Sequence, residues 1–189
     1  MKKSLGPRTI IYPTPALVIG TYDKNGKPNA MTAAWAGICC SKPPCVAVSV
    51  RKSRHTYDSI VERKAFTANV PSEKYVKQVD YFGIASGKKK DKFADTHLTP
   101  VKSDLVDAPY IEEFPLILEC RLVHTFELGM HTQFIGEIQD IKADEAILSS
   151  EGEPDIEKAR PIIYAPENGR YYGIGMSLGK AFSIGVSID

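Results

Sequence analysis

Several features that mark common functional classes are missing from this sequence. The formal net charge is only +1, so no overall field favours nucleic acid or an anionic membrane as a partner. No apolar run approaches the roughly 20 residues that cross a bilayer. Neither GxGxxG nor GxxxxGKS/T occurs, so the usual dinucleotide and phosphate-loop signatures are absent.

Cysteine and histidine are also sparse. The four cysteines are Cys39, Cys40, Cys45 and Cys120, and the four histidines are His55, His97, His124 and His131. Without a CxxC motif or a secretory signal, we expect free thiols and no metal site. Adjacent cysteines in a strand point to opposite faces, which disfavours a redox dithiol at Cys39 and Cys40. Residues 1–8 are charged and no apolar segment follows them, so we expect a cytoplasmic protein.

The sequence is rich in β-strand patterns. Its 189 residues, 43% of them hydrophobic, suffice for a single domain over residues 1–189. Strands are predicted at residues 16–22, 29–39, 44–51, 66–70, 116–126, 132–143, 161–164 and 170–175. The pair Asn25-Gly26 predicts a hairpin turn between the first two strands.

Helix patterns are fewer. One helix is predicted at residues 55–64, and a second begins at Ser72 with Val76, Val79 and Phe82 on one face. The charged run at residues 88–92 follows Ser86-Gly87 and is interpreted as a loop. Closely spaced strands with few helices favour a mainly β protein, with a closed or sandwiched antiparallel sheet.

A basic turn joins the strand at 44–51 to the first helix. Cationic and hydroxyl side chains occur together there: Arg51, Lys52, Ser53, Arg54 and Thr56. The beginning of a helix offers free backbone N–H groups and a positive dipole end, and charged donors beside it favour a bound phosphate. The alternative interpretation is a solvated basic turn.

The strand at residues 29–35, NAMTAAW, has small side chains where β-branched ones are usual. Small side chains let a flat ligand approach the backbone. Asn29 and Thr32 could supply polar contacts to that ligand, and Trp35, the sole tryptophan, could form a wall. The alternative is an edge strand that packs against another subunit.

An ordered set of motifs resembles the flavoredoxin branch of the flavin reductase-like, FMN-binding split-barrel family. The motifs lie at residues 29–35, 40–44, 48–51, 54–57, 66–71, 86–93, 128–137 and 171–175. The resemblance implies a mainly β fold with a few helices, a six-stranded antiparallel split β-barrel. It also implies a homodimer that binds FMN non-covalently near the dimer interface.

The resemblance assigns residues by position. Those implied to line the isoalloxazine ring and ribityl chain are Asn29, Thr32, Ala33, Ala34, Trp35 and Cys40. Those implied to hold the phosphate are Arg51, Lys52, Ser53, Arg54 and Thr56. The segment 86–93, with Ser86, Gly87 and Lys92, is implied to be an arm that closes over the flavin.

His131 is the candidate catalytic residue, because it follows the turn at residues 127–130 on a strand that the family brings to the flavin. Its imidazole could orient a nicotinamide or stabilise charge on the reduced ring. A hydrogen-bonded structural histidine is the alternative.

The resemblance therefore implies an FMN-binding oxidoreductase. One form is a flavin reductase that takes electrons from NADH or NADPH, and the other is a flavoredoxin-type carrier reduced by a redox protein. The cofactor carries the electrons, while the protein binds and tunes it. A non-enzymatic flavin- or haem-binding module is the alternative, because split barrels host several functions.

Overall fold

The computed structural model describes residues 1–186, and strands dominate this part of the chain. The strands are β1 Thr14–Pro15, β2 Leu17–Tyr22, β3 Pro28–Ala33, β4 Ala36–Ser41, β5 Pro44–Arg51, β6 Ala65–Val70, β7 Pro100–Lys102, β8 Pro109–Ile111, β9 Leu116–Leu128, β10 His131–Ala143, β11 Ile163–Ala165 and β12 Arg170–Tyr172. The α-helices are α1 His55–Arg63, α2 Val76–Ile84, α3 Lys92–Thr96 and α4 Ile156–Ala159, and 3-10 turns lie at Glu73–Tyr75 and Glu145–Ile147.

The main sheet has seven strands in the order β3-β2-β6-β9-β10-β5-β4, and every neighbouring pair is antiparallel. This is one strand more than the six-stranded barrel that the family resemblance implies. The predicted strand at 29–39 breaks at Ala34 and Trp35 and continues as a separate strand, β4. Because β3 and β4 lie at opposite edges of the sheet, the short connection at Ala34 and Trp35 links the two edges. The amide of Ser49 in β5 donates to the Trp35 carbonyl at 2.8 Å and fixes the junction.

Two buried clusters flank this sheet because β2, β3 and β9 bury both faces. Ile19, Val48, Phe66 and Phe134 belong to the inner cluster, which Ile60 of α1 joins. The outer cluster packs α2 and α3 against the sheet and is formed by Ala16, Val18, Ala30, Val79, Phe82, Phe93, Leu98, Ile111, Phe114, Ile117 and Ile162. The helices that border the cavities described below are therefore held on the sheet by apolar packing.

The other predicted elements lie where the sequence places them but differ in extent, whereas β1, β7, β8, α3 and α4 were not predicted. The hairpin turn after β2 is present, with Gly26 at φ +78°. Helix α2 begins at Val76 after a 3-10 turn, and Val79 and Phe82 are buried as expected. The charged run at 88–92 ends in an unexpected helix, α3, whose first residue is the buried Lys92. Within residues 1–186, none of the helices has the length and apolar content needed to cross a bilayer.

Candidate functional site

Two adjoining cavities lie where β3, β5 and the N-terminus of α1 converge. The larger, here the strand cavity, has a volume of about 250 Å³ and is lined by Thr9, Met31, Thr32, Ala33, Ala34, Trp35, Ser49, Val50, Arg51, Arg54, His131, Tyr164 and Pro166. The smaller, here the helix cavity, has a volume of about 90 Å³ and is lined by Asn29, Met31, Ser53, Arg54, His55, Thr56, Phe82, Ala85, Ser86, Gly87 and Lys92. Met31 and Arg54 line both cavities, so the two form one continuous site.

The strand cavity owes its room to the sequence of β3 and the break after it. Ala33 and Ala34 leave space beside the backbone, and Trp35 stands at the junction between the two sheet edges. The opposite wall comes from β5 and β10, where Arg51 and His131 are directly paired in register. A flat ligand fits this arrangement because small side chains permit close contact with its face.

The helix cavity is formed at the beginning of α1. Arg54 is the N-cap residue and its side chain makes no capping hydrogen bond. The first N–H groups of a helix have no partner within the helix, so they can bind an anion. The Asn29 amide donates to the Thr56 hydroxyl oxygen at 3.0 Å, which leaves the Thr56 proton free for a ligand.

The loop at residues 85–91 closes the other side of the helix cavity. Gly87 packs so closely that a Cβ there would lie 2.2 Å from Asn29 Oδ1 and 2.8 Å from His55 Cδ2. The residue must therefore be glycine for the loop to pack in this position. The amides of Lys89 and Lys90 both donate to the Ser86 carbonyl, at 2.9 and 3.0 Å, so the loop is a tight turn.

Lys92 places a cation in the wall of the helix cavity. Its side chain is 4% exposed, and its Nζ donates to the carbonyls of Phe82 and Ala85 at 3.1 and 3.3 Å. Burial, reinforced by the charge of Arg54, lowers the pKa of Lys92 to about 8. Two cations thus face one small cavity, and among residues 1–186 no aspartate or glutamate lines either cavity. This is the charge distribution expected of a site for a phosphate.

His131 lies in the wall of the strand cavity and is partly buried. Burial, and then the nearby charge of Arg51, lowers its pKa below the ordinary value. The imidazole is therefore neutral at neutral pH, so that one ring nitrogen donates and the other accepts a hydrogen bond. The structure thus provides a polar group beside the strand cavity that adds no fixed positive charge.

The structure brings most of the residues implied by the resemblance together. The strand cavity holds Thr32, Ala33, Ala34, Trp35, Arg51, Arg54 and His131, and the helix cavity holds Asn29, Ser53, Arg54, Thr56, Ser86, Gly87 and Lys92. Thr32 is less available than expected, because its hydroxyl donates to the Val79 carbonyl at 2.5 Å. It can still accept a hydrogen bond.

Two of the implied residues lie outside both cavities. Lys52, directly after β5, is exposed and pairs with Glu127 near the end of β9 at 2.5 Å. Cys40 is exposed on the edge strand β4, opposite Cys45, where a register irregularity follows Ile38. Although Lys52 and Cys40 are close in sequence to cavity residues, their side chains reach neither cavity within one chain.

Several lining residues were not identified from the sequence. Ser49 and Val50 directly precede Arg51 on β5, so the strand pattern could have indicated them. Tyr164 and Pro166 come from the other end of the chain, and Thr9 from its beginning. No local motif marks them, because only the packing of the small sheet β1-β11-β12 brings them to the cavity.

Comparison with known proteins gives one consistent result. The family model described as "Flavin reductase like domain" matches residues 8–174. The solved flavoredoxin of Desulfovibrio vulgaris (Miyazaki F) is 57% identical with a TM-score of 0.94, over 98% of this chain and 100% of that chain. The flavoredoxin from Methanosarcina acetivorans is 34% identical with a TM-score of 0.92, over 99% and 98% of the two chains.

A relative with a longer chain is also similar. The high molecular weight rubredoxin of Moorella thermoacetica is 31% identical over 143 residues, which are 75% of this chain and 59% of that protein. The match therefore covers only part of that relative. The similarity to the two flavoredoxin structures agrees with the seven-stranded antiparallel sheet described above.

Proposed function

Because this chain belongs to the flavin reductase-like domain family, we propose that it is an FMN-dependent oxidoreductase of the flavoredoxin type. The observation that carries the proposal is the pair of cations, Arg54 and Lys92, in the helix cavity at the N-terminus of α1, which no aspartate or glutamate of residues 1–186 lines and which adjoins a cavity of small side chains. When bound, FMN supplies the capacity to accept and release electrons. The similarity to flavoredoxins over nearly the whole chain supports the same assignment.

The chain's own residues would divide the binding between the two cavities. Arg54, Lys92, Ser53, Thr56 and the first N–H groups of α1 would hold the terminal phosphate in the helix cavity. Charge-assisted hydrogen bonds of this kind contribute about 1.5–3 kcal/mol each. Ala33, Ala34 and Trp35 would form the surface against which the ring lies.

FMN is favoured over FAD because the helix cavity is small and the loop at 85–91 borders it on one side. The loop at 85–91 packs directly onto Asn29 and His55. The space of about 90 Å³ suits a terminal phosphate and is too small to hold an attached nucleotide as well. FAD would have to displace this loop.

Around the ring, the residues would exclude water and supply one polar group. Tyr164 and Pro166 cover the strand cavity from the side of β11. The neutral imidazole of His131 would orient an electron donor or exchange a proton with it. Arg51, its cross-strand partner, would add positive charge next to the ring.

The donor can be a nicotinamide nucleotide or a reduced redox protein. Anaerobic mixing with NADH, NADPH and reduced ferredoxin, each monitored by the visible flavin absorbance, separates the two forms of the proposal. Fast bleaching by a nucleotide would assign a flavin reductase. Bleaching by ferredoxin alone would assign an electron carrier. Flavin that no donor reduces would favour the non-enzymatic binding module.

Flavin titrations test the binding mode. The double variant Arg54→Ala/Lys92→Met, which removes the two cations of the helix cavity, should bind FMN at least tenfold more weakly per effective contact, because each lost contact exceeds 1.4 kcal/mol. Its affinity for riboflavin, which lacks the phosphate, should change little. Equal losses for both ligands, or tighter binding of FAD than of FMN by the wild type, would contradict the proposal.

A further inference from the structure

The loop at residues 86–91 carries three lysines that the proposed cofactor site does not use. Lys88, Lys89 and Lys90 are all exposed, and none of them lines the strand cavity or the helix cavity. Among residues 1–186, none of the three forms an ion pair with a carboxylate. Three neighbouring uncompensated cations therefore point away from the site and into solvent.

The turn that carries these lysines is held in one conformation. The Ser86 carbonyl accepts hydrogen bonds from Lys89 and Lys90, and Gly87 is packed against Asn29 and His55. At the other end, Lys27 forms a 2.9 Å ion pair with Asp91. A preorganised surface loses little conformational entropy when a partner binds, which favours its use for docking.

The acidic residues beside the lysines are already engaged. Asp91 pairs with Lys27 and accepts a hydrogen bond from the Ala94 amide at 3.1 Å, and these contacts lower its pKa. Asp95 accepts a 2.5 Å hydrogen bond from the Tyr81 hydroxyl. With these carboxylates occupied, the turn presents a surface of one charge sign.

We propose that Lys88, Lys89 and Lys90 form a docking surface, the lysine turn, for an acidic redox protein that exchanges electrons with the proposed flavin. The inference rests on the proposed function and names the class of its protein partner. Ser86 and Gly87 of the same turn line the helix cavity, which is continuous with the strand cavity, so a docked partner lies beside the cofactor. Complementary charge chiefly accelerates such encounters.

Other anionic ligands fit the lysine turn less well. A dinucleotide would require cations that face a groove, whereas these three lysines are outside both cavities. Nucleic acid would require a broader positive field than a chain of net charge +1 provides. A weak, transient protein contact needs only a small charged patch of this kind.

The test is the charge-reversal variant Lys88→Glu/Lys89→Glu/Lys90→Glu, compared with the matched control Lys42→Glu/Lys64→Glu/Lys102→Glu. The control makes the same change in net charge at exposed lysines in other elements, and Lys64 lies at the end of α1 away from the helix cavity. Both proteins are loaded with FMN. They are then mixed anaerobically with a reduced, strongly acidic ferredoxin at low and high salt, with NADPH, and with dithionite.

We expect the lysine-turn variant to react with ferredoxin about tenfold or more slowly than wild type at low salt, with the difference shrinking at high salt. The control variant should react within about twofold of wild type. Dithionite reduction and FMN affinity should be unchanged in both variants.

Several results would overturn the proposal. Equal rates for the two variants would assign any effect to net charge, and a selective loss of NADPH reduction would assign the lysines to a nucleotide. Loss of FMN from the lysine-turn variant alone would make these residues part of the cofactor site. Failure of the wild type to bind FMN would refute the proposed function itself, which is a separate result.

Discussion

At the scale of single residues, Lys92 has the most unusual environment in the candidate site. A buried ammonium with no carboxylate nearby destabilises the folded chain, so its pKa falls to about 8 from 10.5 in an unfolded peptide. The unfolded chain binds this proton more tightly than the folded chain does. The loss of folding stability is therefore fully present below pH 8 and disappears as the pH rises to about 10.5. A bound phosphate would offset this cost by stabilising the protonated amine.

This charge predicts a pH dependence of FMN binding. Lys92 is mostly protonated at pH 7 and about half protonated at pH 8, and above pH 8 FMN must bind together with a proton. Affinity should therefore fall by up to about tenfold per pH unit above pH 8. Lys92→Met, which keeps the apolar stem, should bind FMN more weakly at pH 7 and show little further loss up to pH 9.5. A wild-type affinity that stays level over this range, measured by flavin fluorescence with riboflavin as control, would contradict the assignment.

His131 gives a second prediction at this scale. His131→Ala should leave FMN affinity within a few-fold, because the phosphate contacts lie in the other cavity. Reduction by the effective donor should slow by about 10- to 1000-fold, the scale of losing a positioned polar or proton-transferring group. Stopped-flow reduction measures the rate, and dithionite, which needs no docked donor, serves as control. A lower melting temperature with unchanged donor kinetics would assign His131 to structure.

The sequence identifies individual residues where chemistry and chain proximity coincide. Arg51, Arg54 and Thr56 could be interpreted together because a strand end meets a helix beginning there. Lys52 could not be separated from them, since only the tertiary fold shows its pairing with Glu127. Tyr164 could not be predicted as a cavity residue, because its neighbours in the cavity are distant in sequence.

At the scale of elements, the loop at 85–91 and its glycine determine how the helix cavity closes. Gly87→Ala places a Cβ against Asn29 and His55, so the loop must move outward. Overpacking of this kind costs about 1–3 kcal/mol, and we expect FMN affinity to fall accordingly while riboflavin affinity falls less. Gly37→Ala in β4 is the matched control, because a Cβ there meets no atom within 4 Å. Equal affinities for the two variants would show that the loop does not contact the ligand.

Most strands were predictable because they are runs of apolar and β-branched residues, and β5 agrees at both ends with its predicted range. The break between β3 and β4 was not, since Ala34 and Trp35 contain neither glycine nor proline to mark it. Helix α3 was missed for a similar reason. Its charged beginning resembles a solvated loop, whereas Asp91 caps it and Phe93 anchors it in the outer core.

At the scale of the whole molecule, apolar surface remains exposed on the β9–β10 hairpin. Phe126, Leu128 and Met130 are 53%, 57% and 63% exposed. The register of β6 with β9 ends at Arg121, and the Leu122 amide still donates to the Lys64 carbonyl at 2.8 Å, so residues 123–128 have no strand partner on that side within residues 1–186. Unpaired apolar strand edges favour association, which supports the homodimer implied by the resemblance. The homodimer and the single-domain organisation stay predictions.

Light scattering tests the association. The wild type should have twice the chain mass of 20.8 kDa, and Phe126→Ser/Leu128→Ser should shift it towards the monomer. The matched control is Leu105→Ser/Ile156→Ser, which removes two similarly exposed apolar side chains elsewhere. A wild-type monomer that binds FMN fully would refute the dimer. A dimer that survives the hairpin substitutions would place its interface on another surface.

The junction at Ala34 and Trp35 affects how cooperatively the main sheet opens and closes. Because it joins the two ends of the seven-stranded sheet, the walls of the strand cavity meet only when every intervening strand is in register. A ligand that binds this cavity stabilises the closed sheet by mass action. Amide hydrogen exchange should therefore slow on addition of FMN even in β6 and β9, which line neither cavity. Protection confined to the cavity walls would instead indicate that the sheet opens in parts.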